Sequence, residues 1–451
     1  MKIFKKLFGI STMLMMGFFS VAQESQKQSL TIEDAVNLAN QNNITIKTSQ
    51  GSLDLLKAKN TFSWNSISPS FGLSGSFVPD LEDWANPDDN IYSFGLTGSV
   101  SLTLKTNLYS DIKGAKIAYE SGKLSYEQTC RKIELNVRTA FYGLLYEQEN
   151  LVLQQRSLAT AKTQYEQNQE KFKNGQISEL DVMQSRVNYE QKIPTVESVA
   201  LQLENDYSTF KQMIGIPQET LIELQGSLDD ILKIKAINFP EGEAIVAPDV
   251  KTAEYNLETA KNNLLASRFS AYGPVISARY SYGGTDINMP NPEKTKNPNA
   301  DVPDRIDSKS NSSSISIGVT IPLDGYLPWS TGAATIGSNK VNLNNAQMQL
   351  ENTKTTVAIQ TENYLRKINQ GISQISSIKS TVDLANKSYT MTKTAYNYGK
   401  TDLLSLQSAS DKVLTNEVNL KSQAYFLIGN ILNLEYLLGL PFGTLLQEKS
   451  E

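Results

Sequence analysis

No histidine occurs in the 451 residues, and the one cysteine is Cys130. That removes Ser-His-Asp and Cys-His nucleophile arrangements and every zinc site built on imidazole. It also removes any disulfide within the chain. Acids are the remaining candidates for chemistry. Asp286, Asp301, Asp304 and Asp307 could gather a cation, but their spacing lacks the EF-hand pattern, and a solvated external loop explains them. Asp229 and Asp230 are adjacent carboxylates on a polar connector. Gly283-Gly284 is followed by no phosphate-loop lysine and reads as a turn. Cys130 reads as a small residue on a helix. No catalytic, cofactor-binding or metal site is expected, and no enzyme. A net charge of −5 gives no case for nucleic acid.

Two further acids, Asp181 and Asp402, stand in a stretch that is written twice. Residues 165–185 read YEQNQEKFKNGQISELDVMQS, and residues 389–409 read YTMTKTAYNYGKTDLLSLQSA. Tyr165 matches Tyr389, Phe172 matches Tyr396, Gly175 matches Gly399 and Leu180 matches Leu404, at a constant offset of 224. The same offset carries Gly215-Ile216-Pro217 onto Gly439-Leu440-Pro441. This period is too long for a solenoid unit. It indicates two structural halves, each built as long helix, glycine turn, long helix.

The elements that position these stretches follow from periodicity. Lys2, Lys5 and Lys6 precede an apolar run over residues 7–21, too short to span a bilayer as a helix. Ser20-Val21-Ala22 fits a small-x-small cleavage site, so residues 1–22 are expected to be a signal peptide, with no cysteine at the new terminus to carry a lipid. No later stretch reaches 18 uninterrupted apolar residues. The first repeat then covers 23–217, a connector 218–247, the second repeat 248–441 and a C-terminal tail 442–451. Thr31 is placed as an N-cap before Glu33 and Asp34, and helical spacing runs to about Trp64. Pro69 stops it. Phe71, Leu73, Gly75 and Phe77 then alternate with Ser70, Gly72, Ser74 and Ser76, and Phe94 to Leu104 alternate likewise, which predicts a β-hairpin over about 68–104. A loop carrying Asp80, Asp83, Asp88 and Asp89 joins the two strands. A second hairpin is predicted over about 274–323, with alternation at Ile276–Tyr282 and Ile315–Ile321 and a long polar loop from Gly283 to about Asn311.

Each hairpin is followed by a proline-free stretch in which apolar residues recur every seven. Val137, Leu144, Leu151, Leu158, Tyr165 and Phe172 form the first series; Ile368, Ile375, Val382, Tyr389 and Tyr396 form the second. Sustained heptads predict coiled coil. Gly175 and Gly399 are placed at the helix ends, with Ser178 and Asp402 as N-caps of the returning helices and Pro194 expected to bend the first of these. With 39% apolar residues, against roughly 45–50% in ordinary globular chains, extended helices with one wet face fit better than a compact ball.

The strands decide the class. Their predicted length matches the 9–11 residues of a tilted membrane strand, and one face is apolar while the other is Ser, Thr and Gly. Four strands cannot bury a two-sided core for so long a chain, and aromatics such as Phe77, Tyr92, Phe94, Tyr280 and Tyr282 are placed at the strand ends like an interfacial girdle. Tyr109, Tyr272, Tyr326 and Trp329 are placed near the opposite rim. An open edge is not tolerated in lipid, so the chain is expected to oligomerise; dimer, trimer and tetramer all give an even strand number.

A signal peptide, two repeats of helix, hairpin, long helix, glycine turn and helix, and the Gly-(Ile/Leu)-Pro repeat ends together resemble the TolC-type outer-membrane efflux family. The tip motif of that family is matched by Phe172-Lys-Asn-Gly175-Gln-Ile-Ser178-Glu-Leu-Asp181-Val182 and by Tyr396-Asn-Tyr-Gly399-Lys-Thr-Asp402-Leu-Leu-Ser405-Leu406. The resemblance implies a mostly α protein with a membrane β-hairpin pair. It implies a homotrimer sharing one 12-stranded barrel in the outer membrane of a Gram-negative bacterium, continued into the periplasm by a coiled-coil α-barrel closed at its tips. Its implied partners are a periplasmic adaptor and an inner-membrane RND or ABC transporter, with the chain as the passive exit duct for multidrug export or secretion.

By the same resemblance Asp181 and Tyr396 help tie neighbouring coils in the closed state. Ser405 and Ser408 stand where some members carry an inner ring of acids, and Thr401 stands where a base is found. Asp402 is either a replacement acidic ring or only a helix cap. Adaptor docking falls on Asn174, Gly175, Gln176, Tyr398, Gly399 and Lys400. Two other readings of the residues are a secreted α-helical pore-forming toxin and a coiled-coil spacer on the cell surface. Neither explains two hairpins of membrane length with Ser/Thr/Gly faces in register.

Overall fold

The computed structural model describes residues 28–79, 91–237 and 247–446. The expected signal peptide lies outside them, as does the stretch with Asp80, Asp83, Asp88 and Asp89. The chain opens with β1 (Gln28–Leu30) and α1 (Ile32–Asn42). Thr31 caps α1 as predicted: its hydroxyl accepts from the Asp34 amide, and the Asp34 carboxylate accepts from the Thr31 amide, each at 3.2 Å. Asn43 then closes α1 and caps α2 (Ile44–Thr61), its Oδ1 accepting from the Thr45 amide at 2.9 Å. A 3-10 turn over Ser63–Ile67 delivers the chain to β2 (Ser70–Pro79), followed by β3 (Tyr92–Lys105), α3 (Leu108–Lys173) and α4 (Glu179–Ile214). The connector contains β4 (Ile222–Leu224). The second half repeats the order with α5 (Pro248–Tyr272), β5 (Val275–Pro290), a short α6 (Pro292–Lys296), β6 (Arg305–Thr320), α7 (Thr331–Asn397) and α8 (Leu403–Leu438).

At 66 and 67 residues, α3 and α7 are each roughly 100 Å long at about 1.5 Å per residue. α4 and α8 return beside them and end at Gly215 and Gly439, both left-handed with φ of 72° and 73°. α4 runs on through Pro194. No described helix is long and apolar enough to cross a membrane.

The main core lies at mid-length. Phe141, Leu144, Phe210, Ile214, Ile368, Ile428 and Ile431 are buried together there, with Leu228, Ile231 and Leu232 of the connector. β1 and β4 pair in parallel in the same region, and Lys379 of α7 donates to the Leu232 carbonyl at 2.8 Å. The connector is therefore a component of the core, because its Leu and Ile residues cover the seam where the four long helices meet. The first five residues of the C-terminal tail also pack inward. Leu445 is buried, and the Glu435 carboxylate accepts from the Gly443 and Leu445 amides at 3.0 and 2.9 Å. Toward the tips burial thins along the heptad series: Val137 and Leu144 are buried, Leu151, Leu158 and Tyr165 half-buried, and Phe172 exposed.

The strands form one antiparallel sheet in the order β2-β3-β5-β6. One correction concerns the second hairpin. Residues 283–290 and 305–311 are strand, where the polar composition predicts loop, and the turn shrinks to α6 and residues 297–304. Polar side chains stay in the ladder because they satisfy one another across it. Lys309 lies 3.4 Å from Asp286, Asn288 donates to Asp307 at 2.5 Å, and Arg305 donates to Asn288 at 2.6 Å. Tyr280 and Tyr282 consequently sit in mid-sheet, opposite Val100 and Gly98, and not at a strand end. Phe77 and Phe94 do face each other near the upper limit of the apolar face.

That apolar face is exposed; Ile315 and Ile317 are each 76% accessible and Phe71 is 79%. Its position shifts from strand to strand. Projected onto β3 through the ladder, the apolar stretch 71–77 of β2 lies opposite 94–100, β3 itself is apolar over 94–104, 276–282 of β5 lies opposite 98–104, and 315–319 of β6 opposite 100–104. The band climbs about two residues per strand; at about 3.3 Å per residue and 4.8 Å between strands it runs at roughly 50° to the rungs. A flat slab cuts tilted strands in this way, and membrane barrels tilt theirs by about 35–45°.

Candidate functional site

Both tips are built alike. α3 is closed by a Schellman turn: Gly175 has φ of 70°, its amide donates to the Phe172 carbonyl at 2.8 Å, and the Gln176 amide donates to the Lys171 carbonyl at 2.8 Å. At the second tip Gly399 has φ of 68°, its amide donates to Tyr396 at 3.0 Å, and the Lys400 amide donates to Ala395 at 2.9 Å. A Cβ at either glycine would meet only open space, so the left-handed backbone is what demands glycine. Asn174, Gly175, Gln176, Gly399 and Lys400 are all exposed, and Tyr398 projects at 76%. These are the six positions expected to meet an adaptor.

The returning helices start on the predicted caps. Ser178 Oγ accepts from the Asp181 amide at 3.2 Å, and the Asp181 carboxylate accepts from the Ser178 amide at 3.2 Å and from its hydroxyl at 2.8 Å. Asp402 accepts from the Ser405 amide at 2.7 Å, and its hydrogen bonds with Ser405 hold its carboxyl below the ordinary range. Asp402 is thus a charged, exposed helix cap. Ser405 and Ser408 are also exposed on α8. A groove of about 820 Å³ separates α4 from α8 here, lined by Leu180, Met183, Val187, Leu404, Ser408 and Asp411. Lys192 of α4 reaches Asp411 of α8 across it at 2.9 Å.

Within one chain the two gate candidates have other partners than each other. Asp181 is engaged by Ser178. Tyr396 donates its hydroxyl to Asn168 Oδ1 of α3 at 2.9 Å, and the Lys171 ammonium lies 4.7 Å from the centre of its ring. Burial raises the Tyr396 hydroxyl above its usual pKa, so it stays a neutral donor. Asn168 is fully buried and accepts a second hydrogen bond from Gln164 at 3.0 Å. Sequence reasoning overlooked Asn168. The available signal was its heptad place: it follows Ala161 by seven residues on the second seam position of α3, and a polar residue in a coiled-coil seam is a register device.

A model of the outer membrane efflux protein family matches residues 35–215 and 244–440. The chain belongs to the outer membrane efflux protein family. The match falls in two spans, separated by residues 216–243. Outer membrane protein TolC of Vibrio cholerae is 20% identical over 387 residues, 84% of each chain. Among solved structures, CusC is similar with a TM-score of 0.74 at 15% identity, covering 91% of this chain and 92% of its own. The CmeC outer membrane channel of Campylobacter jejuni gives 0.74 at 18%, covering 93% and 87%. This efflux protein is therefore an outer-membrane channel component of a Gram-negative bacterium that extends into the periplasm, in a family of ducts and not of enzymes. Family members work with periplasmic adaptors and inner-membrane pumps. Membership sets aside the toxin and spacer readings.

Proposed function

We propose that this efflux protein works as a homotrimer whose three four-stranded sheets close a 12-stranded barrel in the outer membrane, and whose helices form a periplasmic duct shut at the six tips. The observation that carries this reading is the tilted, exposed apolar band backed by a hydroxyl face. A soluble sheet would cover that band with a core, and among the described residues nothing packs on it. The unpaired edges of β2 and β6 need partners in lipid, and two further copies supply them. A periplasmic adaptor docks on residues 174–176 and 398–400 and on the apolar groove beside them, handing over substrate from an RND or ABC transporter.

In the closed state Tyr396 holds α7 to α3 through Asn168, while Asp181, Asp402, Ser405 and Ser408 face the constriction. Tyr396→Phe removes the hydroxyl and leaves Asn168 short of a donor. The purified protein in planar bilayers is expected to show small, mostly closed channels, and Tyr396→Phe to raise conductance severalfold. Recovery of the wild-type chain as a soluble monomer, without channel activity, would end the duct reading. Asp402→Asn separates charge from capping, because asparagine keeps the acceptor at the cap. Its reversal potential in a salt gradient is expected to move toward anions with heat stability unchanged. An unmoved potential would leave Asp402 as a cap alone.

A further inference from the structure

The polar face of the sheet is a hydroxyl and glycine surface with very few charges. Whole rungs consist of small residues, such as Gly72–Ser99–Ser281–Ser314. Charged side chains interrupt it at two described positions. Arg279 lies in the rung Ser70–Ser101–Arg279–Ser316, and Lys105 lies in the rung Lys105–Val275–Thr320. Both are exposed, and neither has an ion-pair partner among the described residues. β2, β3, β5 and β6 place no Asp or Glu on this face. Their two acids, Asp286 and Asp307, fall on the opposite face, where Asp286 pairs with Lys309 and Asp307 accepts from Asn288.

We propose that Arg279, with Lys105 as a second step on the same face, makes the barrel section an anion-favouring filter. The inference rests on the reading of the sheet as one third of a closed, water-filled barrel. Threefold repetition then sets three guanidinium groups at one level, and three ammonium groups roughly 13 Å along the strands toward the helices, at about 3.3 Å per residue. A water-filled passage lined by one sign of charge, with low-dielectric walls, focuses such a field and concentrates counter-ions. The flanking hydroxyls of Ser101 and Ser316 carry no charge to cancel it. The planar fork of Arg279 suits carboxylate, phosphate and sulfate groups, so anionic solutes bearing these groups are the class the filter admits preferentially. It lies at the membrane end of the long helices, remote from Asp402 at the tips, so the two sites act on different parts of the path.

The test is ion selectivity of the purified protein in planar bilayers under a potassium chloride gradient, in the wild-type chain and in the Tyr396→Phe background that opens the tip. Arg279→Ser is expected to lower the chloride-over-potassium permeability ratio severalfold, Arg279→Glu to invert the preference, and Arg279→Lys to retain it. Lys105→Ser is expected to lower the ratio by less. Channels whose ratio is the same for wild type, Arg279→Ser and Arg279→Glu would overturn the filter while leaving the duct intact. Failure of the wild-type chain to form channels at all would overturn the duct reading and the filter with it.

Discussion

Leu151→Pro is expected to abolish heat-stable assembly of the proposed trimer. Leu151 lies in the interior of α3, half-buried in the heptad series between buried Leu144 and half-buried Leu158. Proline there removes the backbone N–H that donates to the Glu147 carbonyl and drives its ring against that carbonyl, at about 3 kcal/mol or more in a helix interior. The native Pro194 does not predict tolerance. It sits at an exposed position of the shorter α4, where water can satisfy the freed carbonyl. At Leu151 the kink would also displace the whole arm that carries Asn168 and the first tip, so Tyr396 would lose its partner. In the proposed trimer the cost is incurred three times. Electrophoresis of unheated and heated samples in detergent reads the outcome, and trimers of normal heat stability in Leu151→Pro would contradict it.

The second large effect is at Glu435. This carboxylate is fully buried and holds the C-terminal segment by accepting from the Gly443 and Leu445 amides. Around it, Arg131 donates to the Leu440 carbonyl at 2.5 Å and to the Glu435 carbonyl at 3.2 Å, and the Arg131 and Arg138 guanidinium groups lie 5.3 and 5.5 Å from the Phe442 ring. Glu435→Leu leaves the buried Leu445 amide without an acceptor, at about 1–3 kcal/mol, and leaves Arg131 and Arg138 with one fewer compensating charge. A lowered melting midpoint and proteolytic release of the C-terminal segment are expected.

Burial raises the Glu435 carboxyl above its ordinary value of 4.5, outweighing the amide and arginine contributions that lower it. The sign follows from linkage. Below 4.5 both folded and unfolded states are protonated and ionisation costs nothing. As pH rises from 4.5 through the raised folded value, the unfolded state ionises first, so this group's contribution turns progressively destabilising. Glu435→Gln cannot ionise. Its melting midpoint is therefore expected to fall less than that of the wild type as pH is raised from 4.5. Parallel pH profiles would remove Glu435 as the source.

Much of this was legible in the chain because it depends on local rules. The glycines at 175 and 399, the caps at Thr31, Ser178 and Asp402, and the seven-residue series are each dictated by backbone stereochemistry or by one helix face. The offset of 224 then made the second half a check on the first. Misreadings arose where partners are distant in sequence. Residues 283–290 and 305–311 look like loop in composition, and they are strand because Asp286, Asn288, Arg305, Asp307 and Lys309 satisfy one another across a ladder. Asn168 looks like one more polar residue on a wet helix. It is a buried acceptor because α7, more than 200 residues later, places Tyr396 against it.

The sequence by itself determined the repeat, the helix ends and the alternation of the strands, since each follows from the conformational limits of neighbouring residues. Only the tertiary structure decided which polar groups meet. Tyr396 went to Asn168 of α3, because hydrogen bonding depends on distances of about 3 Å that helix packing sets. The ladder register likewise aligned Arg279 with Ser70, Ser101 and Ser316 in one rung. A shift of one residue would exchange the faces, and the pairing of four strands holds that register.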